Sequence, residues 1–278
     1  MKRILTIQDI SCVGKCSLTV ALPIISAFGV ETAVLPTAVL SNHTAFKEFT
    51  FRDLTDDLTK IKNVWKKEKV SFDGLYSGYL GSFKQLDIVS DIFDEFKTEN
   101  NFILVDPVMA DFGKLYAGFT EEFALAMAKL AGKADIIVPN LTEASYMLNI
   151  PYVGNNYTKE YIEDVLLKLT DLGCKKAVLT GISFGNGQVG VYGYDKSSNE
   201  FFSYYREQLP QSFHGTGDVF ASTLCGALSI GKDFSESLKI AVDFTVDSIN
   251  ETLKNPSHQW YGVDFETALP KLIKNLHE

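Results

Sequence analysis

HGTGDVFASTLCGALSIG, residues 214–231, is the stretch on which the reading of the fold turns. Gly215 and Gly217 flank Thr216 and stand directly before Asp218, which opens a long run of small and apolar residues. Glycines let the chain turn tightly enough for the amides of residues 215–218 to point at one place. That place is a helix N-terminus, where orphan N–H groups and the positive end of the dipole favour an anion. A phosphoryl group in transit is such an anion, and a carboxylate beside it can take the proton of an attacking hydroxyl. Taken alone, the same residues also describe an ordinary acidic helix start after a glycine-rich turn.

Upstream, short apolar runs alternate with amphipathic stretches. The runs are KRILTI (2–7), TAVLPTAVL (32–40), DGLYSGYL (73–80), NFILVD (101–106), ADIIVPN (134–140) and KKAVLT (175–180). Alternation of this kind predicts βαβ units and an α/β fold built on a mostly parallel sheet flanked by helices. Leu86, Val89, Ile92, Phe93 and Phe96 predict one intervening helix, and Ile162, Val165, Leu169 and Leu172 another. QVGVYGYD, a polar KSSN and EFFSYYREQ, together residues 188–208, predict a β-hairpin before the closing helices. No repeat or linker interrupts the pattern, so residues 1–278 are expected to form a single domain.

Polar clusters fall just past the predicted strands: SNHT (41–44), SGYLGS (77–82), DPVMAD (106–111), PNLTEA (139–144), and Thr180 with Gly181. Ligands of open parallel sheets bind outside the carboxyl ends of the strands, so these clusters are expected to share one rim.

Two motifs fail on inspection. Gly185, Gly187 and Gly190 spell a dinucleotide fingerprint, but VGVYGYD after them is strand-like where that fingerprint must open a helix. Gly14 and Lys15 resemble the end of a phosphate-binding P-loop, but the upstream glycine is missing and Cys16 stands where a Ser or Thr would hold Mg²⁺.

The 278 residues are 46% hydrophobic and carry a net charge of −9, which excludes a disordered chain and argues against nucleic acid or an anionic membrane as partner. No run is long enough to span a bilayer and the N-terminus reads as a first strand, so the protein is expected to be cytoplasmic. Cys12, Cys16, Cys174 and Cys225 lack the pairing of a disulfide framework and are expected to be free thiols. Sequons at Asn42, Asn140, Asn156 and Asn250 are then chance matches.

With SNHT, SGYLGS, DPVMAD, PNLTEA and HGTGDVFAS in this order, the chain resembles the pyridoxal kinases of the ribokinase-like superfamily. The resemblance implies a three-layer ribokinase-like fold with a small β-hairpin or lid, the lid candidates being residues 43–54 and 185–208. It implies ATP-dependent phosphorylation of the 5′-hydroxymethyl group of a vitamin B6 vitamer, with Mg²⁺ and a monovalent cation such as K⁺ as further candidates. A homodimer is expected, in line with the prevalence of twofold assemblies.

By the same resemblance Asp218 is the base and Gly215, Thr216 and Gly217 supply the anion hole. Asp106, Asp111 and Glu143 match acidic positions near Mg²⁺ and phosphate, hard oxygen donors that suit the ion. Asp106 also fits a strand-end cap, and Glu143, three residues after Asn140, fits the partner of a helix N-cap. Asn140 and Thr180 match nucleotide-contacting positions and equally fit loop hydrogen-bonders. Thr44 and Tyr79 match residues that line the pyridine pocket. His43 lies beside them and also fits a structural hydrogen bond.

Two departures from the family pattern stand out. Gln8 is followed by Asp9, Ile10 and Ser11 where many pyridoxal kinases carry a small hydroxyl residue, and a carboxylate at position 9 would suit a protonated ring nitrogen or an amine. Ala110 replaces a usual glycine in DPVMAD. The rival kinase, acting on the hydroxymethylpyrimidine precursor of thiamin, usually opens with a glycine-rich segment that IQDISCVGK lacks. A nucleotide-dependent dehydratase on a similar fold, or a binding protein that kept the scaffold, are readings from other classes.

Overall fold

The computed structural model describes residues 1–276 and divides the chain into two compact units. The first joins Met1–Tyr76 to the segment from Leu209 onward. Its strands are β1 (Arg3–Ser11), β2 (Glu31–Leu40), β3 (Phe51–Asp53) and β4 (Gly74–Ser77), in the order β4-β1-β2-β3, with the unit boundary falling inside β4. β1 is buried along nearly its whole length, the polar Thr6, Gln8 and Asp9 as well as Ile4, Leu5 and Ile7. It pairs in parallel with β2 from Arg3 opposite Glu31 to Ser11 opposite Leu40. The register slips between Gln8, which faces Pro36, and Ile10. Pro36 has no N–H to give the ladder, and the extra residue lies in β2, where Thr37 and Ala38 both stand opposite Asp9.

The helix Thr216–Ser229 is buried on almost every side, as its small residues allow, and packs against the helices Leu18–Ala27 and Phe234–Lys254. Its Thr223 and Ser229 hydroxyls donate to the carbonyls of Val219 and Cys225, so neither polar group is stranded in the core.

The second unit is Ser77–Gln208. β5 (Phe102–Val105), β8 (Ile136–Ile137) and β9 (Lys176–Ile182) run parallel; β10 (Gln188–Asp195) and β11 (Glu200–Glu207) continue the sheet antiparallel. β6 (Ala110–Asp111) and β7 (Lys114–Leu115) form a separate small ribbon. The predicted hairpin is β10 with β11, paired from Gln188 opposite Glu207 to Asp195 opposite Glu200, and it extends the sheet. Gly185 and Gly187 lie in the loop before β10, and no helix follows them. Leu86, Val89, Ile92, Phe93 and Phe96 are buried on the helix Phe83–Phe96, capped by the Ser82 hydroxyl. Ile162, Val165 and Leu169 are buried on Lys159–Asp171, whereas Leu172 is its half-buried C-cap. The apolar runs at 73–80 and 134–140 yield only four and two strand residues, because the chain leaves the sheet at the polar clusters. Among the described residues no helix is long and apolar enough to cross a membrane.

Candidate active site

In the first unit, four polar segments meet at the carboxyl ends of β1 and β2 and at the start of the helix Thr216–Ser229. Gly215 is the N-cap of that helix, left-handed at φ +77°, and no side chain caps it. The amides of its first turn thus receive no capping side chain from the N-cap, an arrangement that can accept an anion. Thr216 donates its hydroxyl to the Phe213 carbonyl at 3.2 Å, which ties the turn together.

Asp218 is half-buried in the first helical turn and accepts a hydrogen bond from the backbone amide of Ser17. Burial pushes its carboxyl up to about 7, the Ser17 amide opposes the shift, and the charge of Asp9 adds to it. A carboxyl poised near neutral pH is well matched to general-base work.

Asp9 is 5% exposed, opposite the bulge in β2. Burial raises its carboxyl, and the hydroxyls of Ser17 and Ser11 favour its charged form, Ser11 Oγ lying 3.2 Å from Oδ2. The SNHT loop comes to the same place: the His43 amide donates to the Val13 carbonyl at 2.9 Å, and the His43 ring stands 5.2 Å from that of His214, centroid to centroid. Burial and His214 lower the His43 pKa. Its Nδ1 accepts from the Ala45 amide at 3.0 Å, and Thr44 between them is exposed.

Sequence reasoning misses Ser17 here and meets Cys16 and Lys15 only in a P-loop match that fails. Ser17 touches both Asp9 and Asp218. Cys16 is buried beside the same carboxylates, and burial keeps its thiol protonated. Lys15 is committed elsewhere: its ammonium donates to Asp264 at 2.6 Å and Glu266 at 2.9 Å, on a segment 249 residues away that no local pattern signals.

In the second unit the expected acidic and amide residues gather beyond β5, β8 and β9. Asn140 and Glu143 form a capping box on the helix Leu141–Leu148: Asn140 Oδ1 accepts from the Glu143 amide and Glu143 Oε2 accepts from the Asn140 amide, both at 2.9 Å. Glu143 Oε1 also accepts from the Met109 amide at 3.2 Å, and Asn140 Nδ2 donates to the Ala110 carbonyl at 2.8 Å. Burial raises the Glu143 carboxyl, the charge of Asp111 adds to the shift, and the amides around it oppose both. Thr180 pairs with Asn140 in a parallel bridge. Asp106 is buried just past β5, its amide donating to the Ser77 carbonyl at 2.9 Å. Asp111 on β6 accepts from the Phe112 amide at 2.9 Å. Tyr79 is half-buried, edge-on to Phe119 at 5.6 Å. Ala110 sits in β6 and is not a positive-φ residue, so the missing glycine strains nothing.

Among the described residues no three His, Cys, Asp or Glu side chains gather into a ready-made metal cage. Mg²⁺ in phosphoryl-transfer sites needs no such cage, since one or two carboxylates serve alongside phosphate oxygens and water. The hard oxygens of Asp106 and Asp111 fit that demand, while Glu143 already holds backbone amides.

The family model that matches this chain is that of phosphomethylpyrimidine kinase, over residues 24–261. A Bacteroides thetaiotaomicron protein assigned as a phosphomethylpyrimidine kinase, crystallised with pyridoxal, is 38% identical with a TM-score of 0.92, over 98% of this chain and 95% of its own. The pyridoxal kinase of Lactobacillus plantarum is 29% identical with a TM-score of 0.90, over 100% of this chain and 99% of its own. Dictyostelium discoideum pyridoxal kinase is 25% identical over 90% of this chain and 86% of its own length.

Proposed function

The chain belongs to the phosphomethylpyrimidine kinase family, and from that premise we propose that it transfers the γ-phosphoryl group of ATP to the 5′-hydroxymethyl group of a vitamin B6 vitamer. The observation that carries this is Asp218, a carboxylate with a pKa near 7 in the first turn of a buried helix whose N-terminus no side chain caps. Asp218 accepts the proton of the substrate hydroxyl while the amides of Gly215, Thr216 and Gly217 neutralise charge on the phosphoryl oxygens. Such transfer depends on positioning and electrostatics more than on covalent chemistry, and this toolkit suits it. The name pyridoxal kinase on the Lactobacillus relative, and the pyridoxal in the Bacteroides crystal, support the substrate class.

Asp106 and Asp111 would hold Mg²⁺, with Glu143 holding the Met109 amide of the segment between them; the ion would supply neutralisation of phosphate charge. Asn140 and Thr180 are assigned to the nucleotide, and Thr44, Tyr79, Asp9 and Ser11 to the vitamer side. The whole chain acts as one kinase domain, a cytoplasmic homodimer, with K⁺ as a candidate activator and residues 43–54 or 185–208 closing over substrate.

The test is coupled ADP release with MgATP and, separately, pyridoxal, pyridoxamine, pyridoxine and hydroxymethylpyrimidine, using Asp218→Asn as control. Turnover on a B6 vitamer that collapses in the control supports the proposal. The family model's description, phosphomethylpyrimidine kinase, points to a pyrimidine and keeps the hydroxymethylpyrimidine kinase as the second reading. Turnover on it alone moves the substrate there, and silence on all four sinks both.

A further inference from the structure

Ser17 behaves unlike an ordinary serine at a helix start. It is the N-cap of the helix Leu18–Ala27, its carbonyl accepting from the amides of Val20 and Ala21 at 3.0 and 2.9 Å. A serine cap normally turns its hydroxyl onto an amide of the first turn. Here no side-chain cap bond forms, and the backbone sits at φ +50° and ψ −132°, where residues other than glycine are strained. In that conformation the Ser17 amide donates to Asp218 and the hydroxyl bonds Asp9. The loop is pinned around it, since the Thr19 hydroxyl reaches the carbonyls of Gly14 at 3.0 Å and Cys16 at 2.7 Å.

We propose that Ser17 is a positioning residue for phosphoryl transfer: its amide fixes Asp218, its hydroxyl fixes Asp9, and its strained backbone holds the two carboxylates in one arrangement. The inference rests on reading Asp218 as the base. Strain concentrated at a residue that touches two functional carboxylates is where function is expected to have been traded against stability.

A consequence follows for proton affinity. The titratable groups against Asp218 are Asp9 from β1 and the Cys16 thiol from the loop, and burial keeps that thiol neutral. Lys15, one residue further along, spends its ammonium on Asp264 and Glu266. Asp9 is therefore the charge that acts on Asp218, and the Ser17 hydroxyl is one of two that favour the ionised form of Asp9. Without that hydroxyl Asp9 keeps its proton to higher pH, and Asp218 then loses a like-charged neighbour and titrates lower.

The experiment is a ¹³C NMR titration of carboxyl-labelled aspartate in the whole protein, with Asp218 assigned by its loss in Asp218→Asn, beside pH profiles of kcat. Ser17→Ala, Ser17→Gly and Asp9→Asn are each expected to lower the Asp218 midpoint by roughly one pH unit, with the acid limb of kcat following. Ser17→Ala should add nothing in the Asp9→Asn background, because it acts through Asp9. Ser17→Gly guards against misfolding, since glycine adopts the positive φ freely. A merely structural serine would lower kcat or Tm and leave the midpoint where it was; that result, or an equal further shift in the double variant, overturns the proposal. A midpoint that moves as expected in a protein that phosphorylates none of the substrates overturns instead the reading of Asp218 as a base.

Discussion

The carbonyl oxygen of Lys15 lies against the α-carbon of Gly215, so close that a side chain at position 215 would collide with it. The loop before the first helix and the turn that opens the Asp218 helix thus fit together only because residue 215 has no Cβ, and its φ of +77° imposes the same requirement. Gly217 differs: a Cβ there meets nothing within 4 Å, and its φ is not positive. Gly215→Ala is expected to destabilise the fold by about 1–3 kcal/mol, read as a loss of several degrees in Tm. Gly217→Ala is expected to keep or raise Tm, since alanine is the better helix former, and to lose activity with MgATP where a methyl group intrudes on the bound phosphoryl group. Thermal melting beside initial rates separates the two, and equal Tm values for both variants would sink the distinction.

Lys15 ties the same loop to the C-terminal segment. Asp264 is 8% exposed and takes Lys15 on one oxygen and Asn255 on the other, at 2.6 and 2.7 Å. Removing one partner of a buried pair leaves the other charge uncompensated, at a cost of up to about 3–5 kcal/mol. The outer bond to Glu266, half exposed, adds little. Lys15→Met should therefore unfold at lower temperature and in less urea, and Lys15→Met with Asp264→Leu should recover part of the loss. A lysine that bound phosphate would behave otherwise: the single variant would raise KM for ATP with Tm unchanged.

The contrast between Lys15 and the strands shows what a sequence makes legible. Runs such as residues 102–105 and 188–195 announce themselves because a strand's burial pattern is local, and the hairpin at 188–207 follows from two such runs around KSSN. Asn140 and Glu143 are legible as a capping box for the same reason, both partners lying within one turn. Asp218 is legible because a glycine-rich helix start is a local device. The partners of Lys15 are 249 and 251 residues away, and Ser17 acts through a backbone conformation and two tertiary hydrogen bonds, none of which leaves a spacing in the chain. What the sequence conceals is the long-range half of the site, including the bulge in β2 opposite Asp9.

Glu143 is predicted to separate stability from metal affinity. Its carboxylate accepts from the amides of Asn140 and Met109, so Glu143→Gln turns one acceptor into a donor facing an N–H group. The mismatch should cost about 1–3 kcal/mol. Asp111→Asn keeps an oxygen that can accept from the Phe112 amide, and should raise the Mg²⁺ concentration needed for half-maximal rate by more than it lowers Tm. Melting curves and Mg²⁺ titrations of both variants check this, and a Tm for Glu143→Gln equal to that of the parent would show that the capping box carries no load.

Asp218 should be an example of function held against stability. Its carboxyl titrates near 7 in the folded protein, against about 3.8 for an ordinary aspartate. Between those values the unfolded chain has released a proton that the folded one retains, so stability falls as pH rises through this window and levels off above 7. Asp218→Asn carries no such charge. Without nucleotide, its Tm should match the parent's near pH 4 and exceed it by a few degrees at pH 8, the gap opening as the parent ionises. The same substitution should lower kcat by about 10²-fold or more, because the hydroxyl proton has lost its acceptor. A Tm gap that is constant with pH would mean that Asp218 ionises like a surface carboxylate, leaving no neutral-pH base on this helix.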